Sequence, residues 1–550
     1  MNGGSKRRNP LVRSNRWSRW LAGVAVVLCA AALHGYCGDP FDPLLDIMIK
    51  NGLITKEEAA RVKAEAEANR TNATALPPMP SSKWKINEGI KRLELYGDVR
   101  MRYEDRSATD PGGAKIELQR ERYAVRLGLR GDAFDNFYFG LRLETGSNGR
   151  SPWVTAGTSA SATPAYQGPF GKSNAGINLG QAYLGGRVGD WLDVTVGKMP
   201  NPLYTTPMVW DTDLSPEGVV ERFKHTVGQA DFFATLGQFL YEDTNPSEAP
   251  KGYFGADQLN FYPSPSTNTS SSQAVLLAFQ GGVNYQFATN LSLKVAPVIY
   301  LYHGYGVDNT RSLSLVSPGF PDTFVGQGAA TGPQGVPSAG WSGYPNTAVN
   351  GYYAGFNANQ TGIRNLKVLE IPAEFNFKVA GLNARLFGDY AYNLDGAARA
   401  QAAYTASQTA ANVNGGEDGG VRKISSAQTY DVHAYQAGVA VGNKDSLGLV
   451  YGTKSAKNAW EVRTYWQHIE QYALDPNLLD SDFFEGRGNL EGLYTAVAYG
   501  LSANMIVTVR YGFANRINSQ LGTGGSNQDI PQMNPIEHFH IFQLDLTFRF

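Results

Sequence analysis

Arginines recur at even spacings in two stretches: Arg100 and Arg102, then Arg122, Arg126 and Arg130, with Arg142 a little further on. In an extended strand residues i and i+2 share a face, so even spacing lines the guanidinium groups up on one side. A guanidinium stays charged at any working pH and presents five donors. A row of them can hold or steer anions. Negative charge comes with the segment Met199–Glu217, which carries Asp211, Asp213 and Glu217 among four prolines, Pro200, Pro202, Pro207 and Pro216. Proline fixes φ, so this segment is stiff enough to hold its acids in place. Opposed rows of charge facing across water create a transverse field that orders water and selects polar solutes. A plainer reading pairs the arginines with Glu94, Asp98 and Glu144 along a wet wall. The two overlap, because paired charges can still line a narrowing.

Other chemistry is sparse. The chain has no P-loop, G-x-S-x-G, H-E-x-x-H or C-x-x-C motif. Of its seven histidines only His538 and His540 are spaced as ligands could be. Asp211 with Asp213, and Glu417 with Asp418, could meet calcium but lack the full spacing of a calcium loop. A lipase or protease at a barrel rim would need a Ser–His or Asp–His set there, an alternative that stays open. No catalytic residue, metal or cofactor is therefore expected. Both cysteines, Cys29 and Cys37, lie near the start, which excludes a disulfide scaffold or a Cys-ligated zinc site in the body. The net charge of -1 hides an asymmetry: the first 38 residues carry six basic groups and no acid. The remaining chain holds 42 basic against 49 acidic residues, which argues against nucleic acid as a partner.

The elements that must position these groups are strands. From Lys91 onward the pattern alternates with period 2. Leu93, Leu95, Val99, Met101 and Tyr103 share one face, and Glu94, Asp98, Arg100, Arg102 and Glu104 the other. Tyr123, Val125, Leu127 and Leu129 alternate with Arg122, Arg126 and Arg130. Ile371, Ala373, Phe375 and Phe377 alternate with Glu370, Glu374, Asn376 and Lys378. Sixteen such stretches are legible, and their connections alternate long and short. Gly189-Asp190, Thr289-Asn290, Ala380-Gly381 and Ser502 mark tight turns. The segments 146–174, 242–273, 304–364 and 395–429 are long. Long loops on one side and short turns on the other are the pattern of an outer-membrane barrel. Asn443–Asn458 breaks the pattern, so either strand twelve extends through Leu447–Tyr451 or the count slips there by one. The chain ends HFHIFQLDLTFRF, with Phe542, Leu544, Leu546, Phe548 and Phe550 set to face lipid. The expected fold is all-β: a 16-stranded antiparallel transmembrane β-barrel over residues 83–550, with a short N-terminal helical segment.

The start of the chain reads differently. A basic stretch, the apolar run Trp20–Leu33 and small residues after it make residues 1–38 a signal peptide. In residues 39–82, Thr55 and Glu58 form a capping box for an Ala/Glu/Lys-rich helix, and Pro77–Pro80 is a stiff spacer. About fifty residues before the first strand are too few for the plug domain of an active transporter.

Three segments carry a family resemblance: LLDIMIKNGLITKEEAARV, KRLELYGDVRMRYE and GKMPNPLYTTPMVWDTDLSPEGVVERF. By these the chain resembles the bacterial "putative porin" family, related to the general trimeric porins. The resemblance implies a homotrimeric channel through outer-membrane lipid, passing small hydrophilic solutes and ions by passive diffusion, with no cofactor. In general porins the loop after strand five folds into the pore and faces a basic wall. Here that implies a constriction between Asp211, Asp213 and Glu217 and the row Arg100, Arg102, Arg122, Arg126 and Arg142. Two alternatives stay open: a plugged structural or adhesive barrel, and a channel selective for one substrate class such as anions or phosphate.

Overall fold

Leu93, Leu95 and Met101 are 43%, 58% and 59% exposed, whereas Arg102, Glu104 and Arg106 are 4%, 0% and 1% exposed. A soluble strand would show the reverse. Apolar side chains that face out and charged ones that face in describe a barrel whose surroundings are lipid. This arrangement appears in a computed structural model of the 550-residue chain. The structure describes Thr55 and residues 89–134, 136–146, 151–157, 176–243, 273–303, 365–401, 404, 425–453, 456–523, 529–530, 533 and 535–550. The chain divides into two units, 1–86 and 87–550, and the barrel occupies the second. The expected signal peptide lies outside the described residues. So do the helical segment (except Thr55), Glu417, Asp418 and the long loop 304–364.

The barrel strands are β1 (Ile90–Thr109), β2 (Lys115–Ala133), β3 (Phe137–Gly146), β4 (Gly176–Val188), β5 (Leu192–Lys198), β6 (Glu217–Val227), β7 (Ala230–Asp243) and β8 (Gln273–Ala288). They continue as β9 (Leu291–Val295 with Val298–His303), β10 (Lys367–Val379), β11 (Leu382–Asn393), β12 (His433–Gly442), β13 (Trp460–Ile469), β14 (Leu490–Gly500), β15 (Met505–Arg516) and β16 (His538–Arg549). Each pairs antiparallel with its sequence neighbours, and β1 pairs with β16 from Asp98–Arg549 to Thr109–His538. The sheet therefore closes. Phe550 extends the closure, exchanging both backbone hydrogen bonds with Gly97 at 3.0 and 3.1 Å. β9 is one crossing interrupted at Ala296-Pro297, where proline has no N–H to give the ladder. The two-residue strand Val154–Thr155 adds a short pairing to β2 above β3. Among the described residues no helix is long and apolar enough to cross a membrane.

Tight turns cluster at one end. At Ala380-Gly381 both residues have positive φ, 50° and 79°. That is the conformation a two-residue hairpin between right-twisted strands demands, and Ala380 adopts it despite its Cβ. The irregular connection 443–459 resolves differently from either expectation. The strand count holds, yet β12 stops at Gly442 and does not extend through Leu447–Tyr451. Instead Leu449–Tyr451 form a single 3-10 turn between Gly448 and Gly452, both left-handed. Leu449 and Val450 are buried. Glu461 on the inner face of β13 accepts hydrogen bonds from the Gly448 and Val450 amides at 2.8 and 3.0 Å. Arg510 of β15 donates to the Val450 carbonyl at 3.0 Å. This turn is long because it tucks into the lumen.

Candidate pore constriction

The β1–β2 register sets Arg102 opposite Arg122 and Glu104 opposite Arg120. Two like charges directly opposed destabilise a sheet unless something separates them. Trp153, from the segment 151–157, does so: its ring centre lies 4.2 Å from the Arg102 guanidinium and 5.7 Å from that of Arg122. Arg102 also donates to Asp545 from Nε at 2.7 Å and Nη2 at 2.9 Å, and to Asp482 from Nη1 at 2.7 Å. Arg106 meets Glu104 at 3.0 Å, Asp529 at 3.2 Å and Glu485 at 3.4 Å. Arg120 reaches Glu104 at 2.5 Å and Asp529 at 2.6 Å. A buried charge costs several kcal/mol unless it is paired, and this wall is paired throughout its upper half.

The loop after β5, residues 199–216, leaves the wall and crosses the lumen. Its far anchor is on the opposite side, since β2 and β10 are eight strands apart in a ring of sixteen. Gln280 of β8 holds the Tyr204 backbone, accepting from N at 2.9 Å and donating to O at 2.8 Å. Thr205 donates to Glu370 of β10 and Thr206 to Asp389 of β11, each at 2.5 Å. Trp210 packs against Phe239 and Tyr300 with ring centres 6.1 and 6.4 Å apart, and Met199 and Met208 are buried beside it. The return anchor is Asp213, 2.5 Å from Nη2 of Arg126 on β2.

The expected constriction residues therefore separate. Asp213 and Arg126 come together. Arg102 lies on the same wall, bound to Asp545 and Asp482. Arg100 pairs with Asp98 at 2.7 Å and Arg142 with Glu144 at 3.1 Å, as the plainer reading has it. Arg122 lies beside Trp153 and 3.8 Å from Glu104. Arg130 pairs with Glu94 at 2.8 Å in an exposed position. Asp211 does not face the arginines. Its carboxylate accepts from the Asp213 amide at 2.8 Å, and its own amide donates to Leu478. Burial, with Asp480 and Asp213 nearby, raises its pKa well above the usual carboxylate range. Glu217 opens β6 on the outward face and pairs with Lys198 at 2.7 Å. His538 and His540 turn to Asn515 at 2.8 Å and Tyr511 at 3.3 Å.

Sequence reading missed the loop between β13 and β14, residues 470–489. It lies inside the barrel against the loop after β5: Asp211 N donates to Leu478 O at 2.6 Å and Asp480 N to Pro207 O at 3.2 Å. Asp482 and Glu485 supply the carboxylates that Arg102 and Arg106 need. Burial alone would raise Asp482, but Arg102 and Arg106 hold it well below the usual range. Asp480, buried with Asp482 beside it, is pushed up to about 7. The available signal was the acid-rich run Asp475–Glu485, whose aromatics Phe483 and Phe484 are too apolar for an exposed loop.

The sequence matches the family described as "Putative porin" over residues 112–550. The chain belongs to that family. Similar solved structures include the anion-selective porin from Comamonas acidovorans, at 10% identity, covering 84% of this chain and 99% of that one, with a TM-score of 0.38. The high-pH structure of Pseudomonas putida OprB is similar at 12% identity, covering 83% and 94%, with a TM-score of 0.42. No curated protein matches significantly. Family membership and a closed sixteen-stranded barrel make this a porin, a channel of the bacterial outer membrane. The tight turns are then periplasmic and the long loops extracellular.

Proposed function

We propose that this porin passes small hydrophilic solutes and ions through a narrow eyelet. The eyelet is framed by the loop after β5, the loop between β13 and β14, and the arginine wall of β1 and β2. The observation that carries this reading is the span of the first loop, from Arg126 on one wall to Glu370 and Asp389 on the other. Planar-bilayer recording tests it: small stable ohmic steps support an eyelet. A folded but silent barrel would favour a plugged reading, in which both loops and turn 443–459 fill the lumen. A homotrimer is part of the proposal. Lys198–Glu217, and Gln238 bonded to Glu221 at 3.3 Å, lie on the outward face of β5–β7, where lipid offers them nothing. Cross-linking of the detergent-folded protein should give a ladder ending at three. We also propose that residues 1–38 are removed on export, which mass spectrometry of the mature N-terminus checks.

A further inference from the structure

Below the eyelet the lumen wall is charged differently. A cavity of about 530 Å³ lies between Pro202–Tyr204 and the periplasmic ends of β4 to β9. Arg187, Arg222, Lys224 and Lys294 line it against Asp190 and Asp193, an excess of two positive charges. Asp193 is committed to the arginines, at 2.8 Å from Arg222 and 3.7 Å from Arg187. Among the described residues neither lysine has a carboxylate within 4.0 Å. Glu374, opposite Lys294 across the β9–β10 ladder, is held by Arg385 at 3.2 Å. The Lys294 ammonium rests 3.5 Å from the centre of the Tyr204 ring and 5.4 Å from that of Phe233.

The contrast with the eyelet matters. There an incoming anion must compete with a carboxylate already bonded to each buried guanidinium. In the cavity it meets two ammonium groups without breaking an ion pair. Pro202, Leu203, Tyr204 and Phe233 supply an apolar floor, which a hydrated inorganic anion cannot use. We propose that this cavity is a binding site for small organic anions with an apolar body, the aromatic monocarboxylates. The carboxylate sits between Lys224 and Lys294, and the ring lies on Pro202 and Leu203. The proposal rests on the open-channel reading for its physiological meaning, since solute must reach the cavity through the eyelet.

The test uses sodium benzoate and sodium acetate with the full-length barrel folded in detergent, where binding is read by calorimetry without need of conduction. Benzoate should bind, and acetate about tenfold more weakly or worse. The double variant Lys224→Gln, Lys294→Gln should lose about tenfold or more in benzoate affinity, the scale of two lost charge-assisted contacts. It should keep the heat-modifiable gel shift of a folded barrel. If the double variant does not fold, the single variant Lys294→Gln must still weaken benzoate. Absence of benzoate binding, equal affinity in the lysine variants, or acetate binding as tightly as benzoate would each overturn the proposal. A barrel that binds benzoate but carries no current overturns the open-channel reading and leaves the site standing.

Discussion

Replacing Asp213 by Asn removes the one carboxylate by which the loop after β5 meets the arginine wall. The shape hardly changes, since the amide is nearly isosteric. What changes is charge: Arg126, now 2.5 Å from Asp213 and 3.7 Å from Glu144, gains a net positive field at the eyelet. For an ion passing about 8 Å away, one charge is worth roughly 0.5 kcal/mol at ε ~80 and about 1 kcal/mol at ε ~40. Anion and cation shift in opposite directions by that amount, so the anion-to-cation permeability ratio rises about six- to thirtyfold, read as a reversal potential in a salt gradient. Salt at ~0.1 M shortens the reach to about 10 Å, so the shift should shrink in molar salt. Asp211→Asn is the internal control. Asp211 is already held toward its neutral form and faces Asp480, so its replacement should leave the ratio within error at neutral pH. Equal shifts from the two variants, or none from Asp213→Asn, would show that the eyelet's field is not set at this contact.

Asp480, pushed up to about 7, should make selectivity depend on pH: cation preference rises as pH passes from about 6 to 8, and Asp480→Asn flattens the curve. The sign for stability is the opposite of a salt-bridged acid. The folded state holds a proton that the unfolded state has released, so stability falls from about pH 4 to 7 and levels off above, which denaturant titrations across that range check. Thr205→Val with Thr206→Val removes two hydroxyl donors from Glu370 and Asp389, and should raise current noise as the loop loosens while the barrel stays folded. Replacing residues 446–453 by a two-residue turn withdraws Leu449 and Val450 from the lumen and should raise single-channel conductance.

The barrel was readable because alternation is a local signal. Each strand declares its two faces within ten residues, and Arg102, Arg122 and Arg126 could be assigned to the lumen from the parity of their neighbours alone. Strand count survived even at the irregular turn, since parity on β12 and β13 fixes both strands whatever joins them. The turn itself was not readable, because its shape is set by Glu461 and Arg510, far away in sequence.

The same distinction explains why the loop acid Asp211 does not meet the arginine row. A strand residue's direction follows from its register, whereas a loop acid's direction follows from whatever the loop packs on. Asp211 and Asp213 are two residues apart, yet one caps the loop's own backbone and the other reaches Arg126, because Trp210 is anchored on Phe239 and Tyr300 and fixes the rotation between them. Charge demand was nonetheless visible. A lumen row of at least five arginines on two neighbouring strands outnumbers Glu94, Asp98 and Glu144, and even with Glu104 and, from β16, Asp545 level with Arg102, the row still draws on Asp482 and Glu485. Burial of Arg102 and Arg106 therefore required carboxylates from elsewhere in the chain. The acid-rich, aromatic run Asp475–Glu485 was the segment able to bring both charge and apolar packing into the lumen. Its inward fold follows from the arginines' need for partners together with the burial of Phe483 and Phe484.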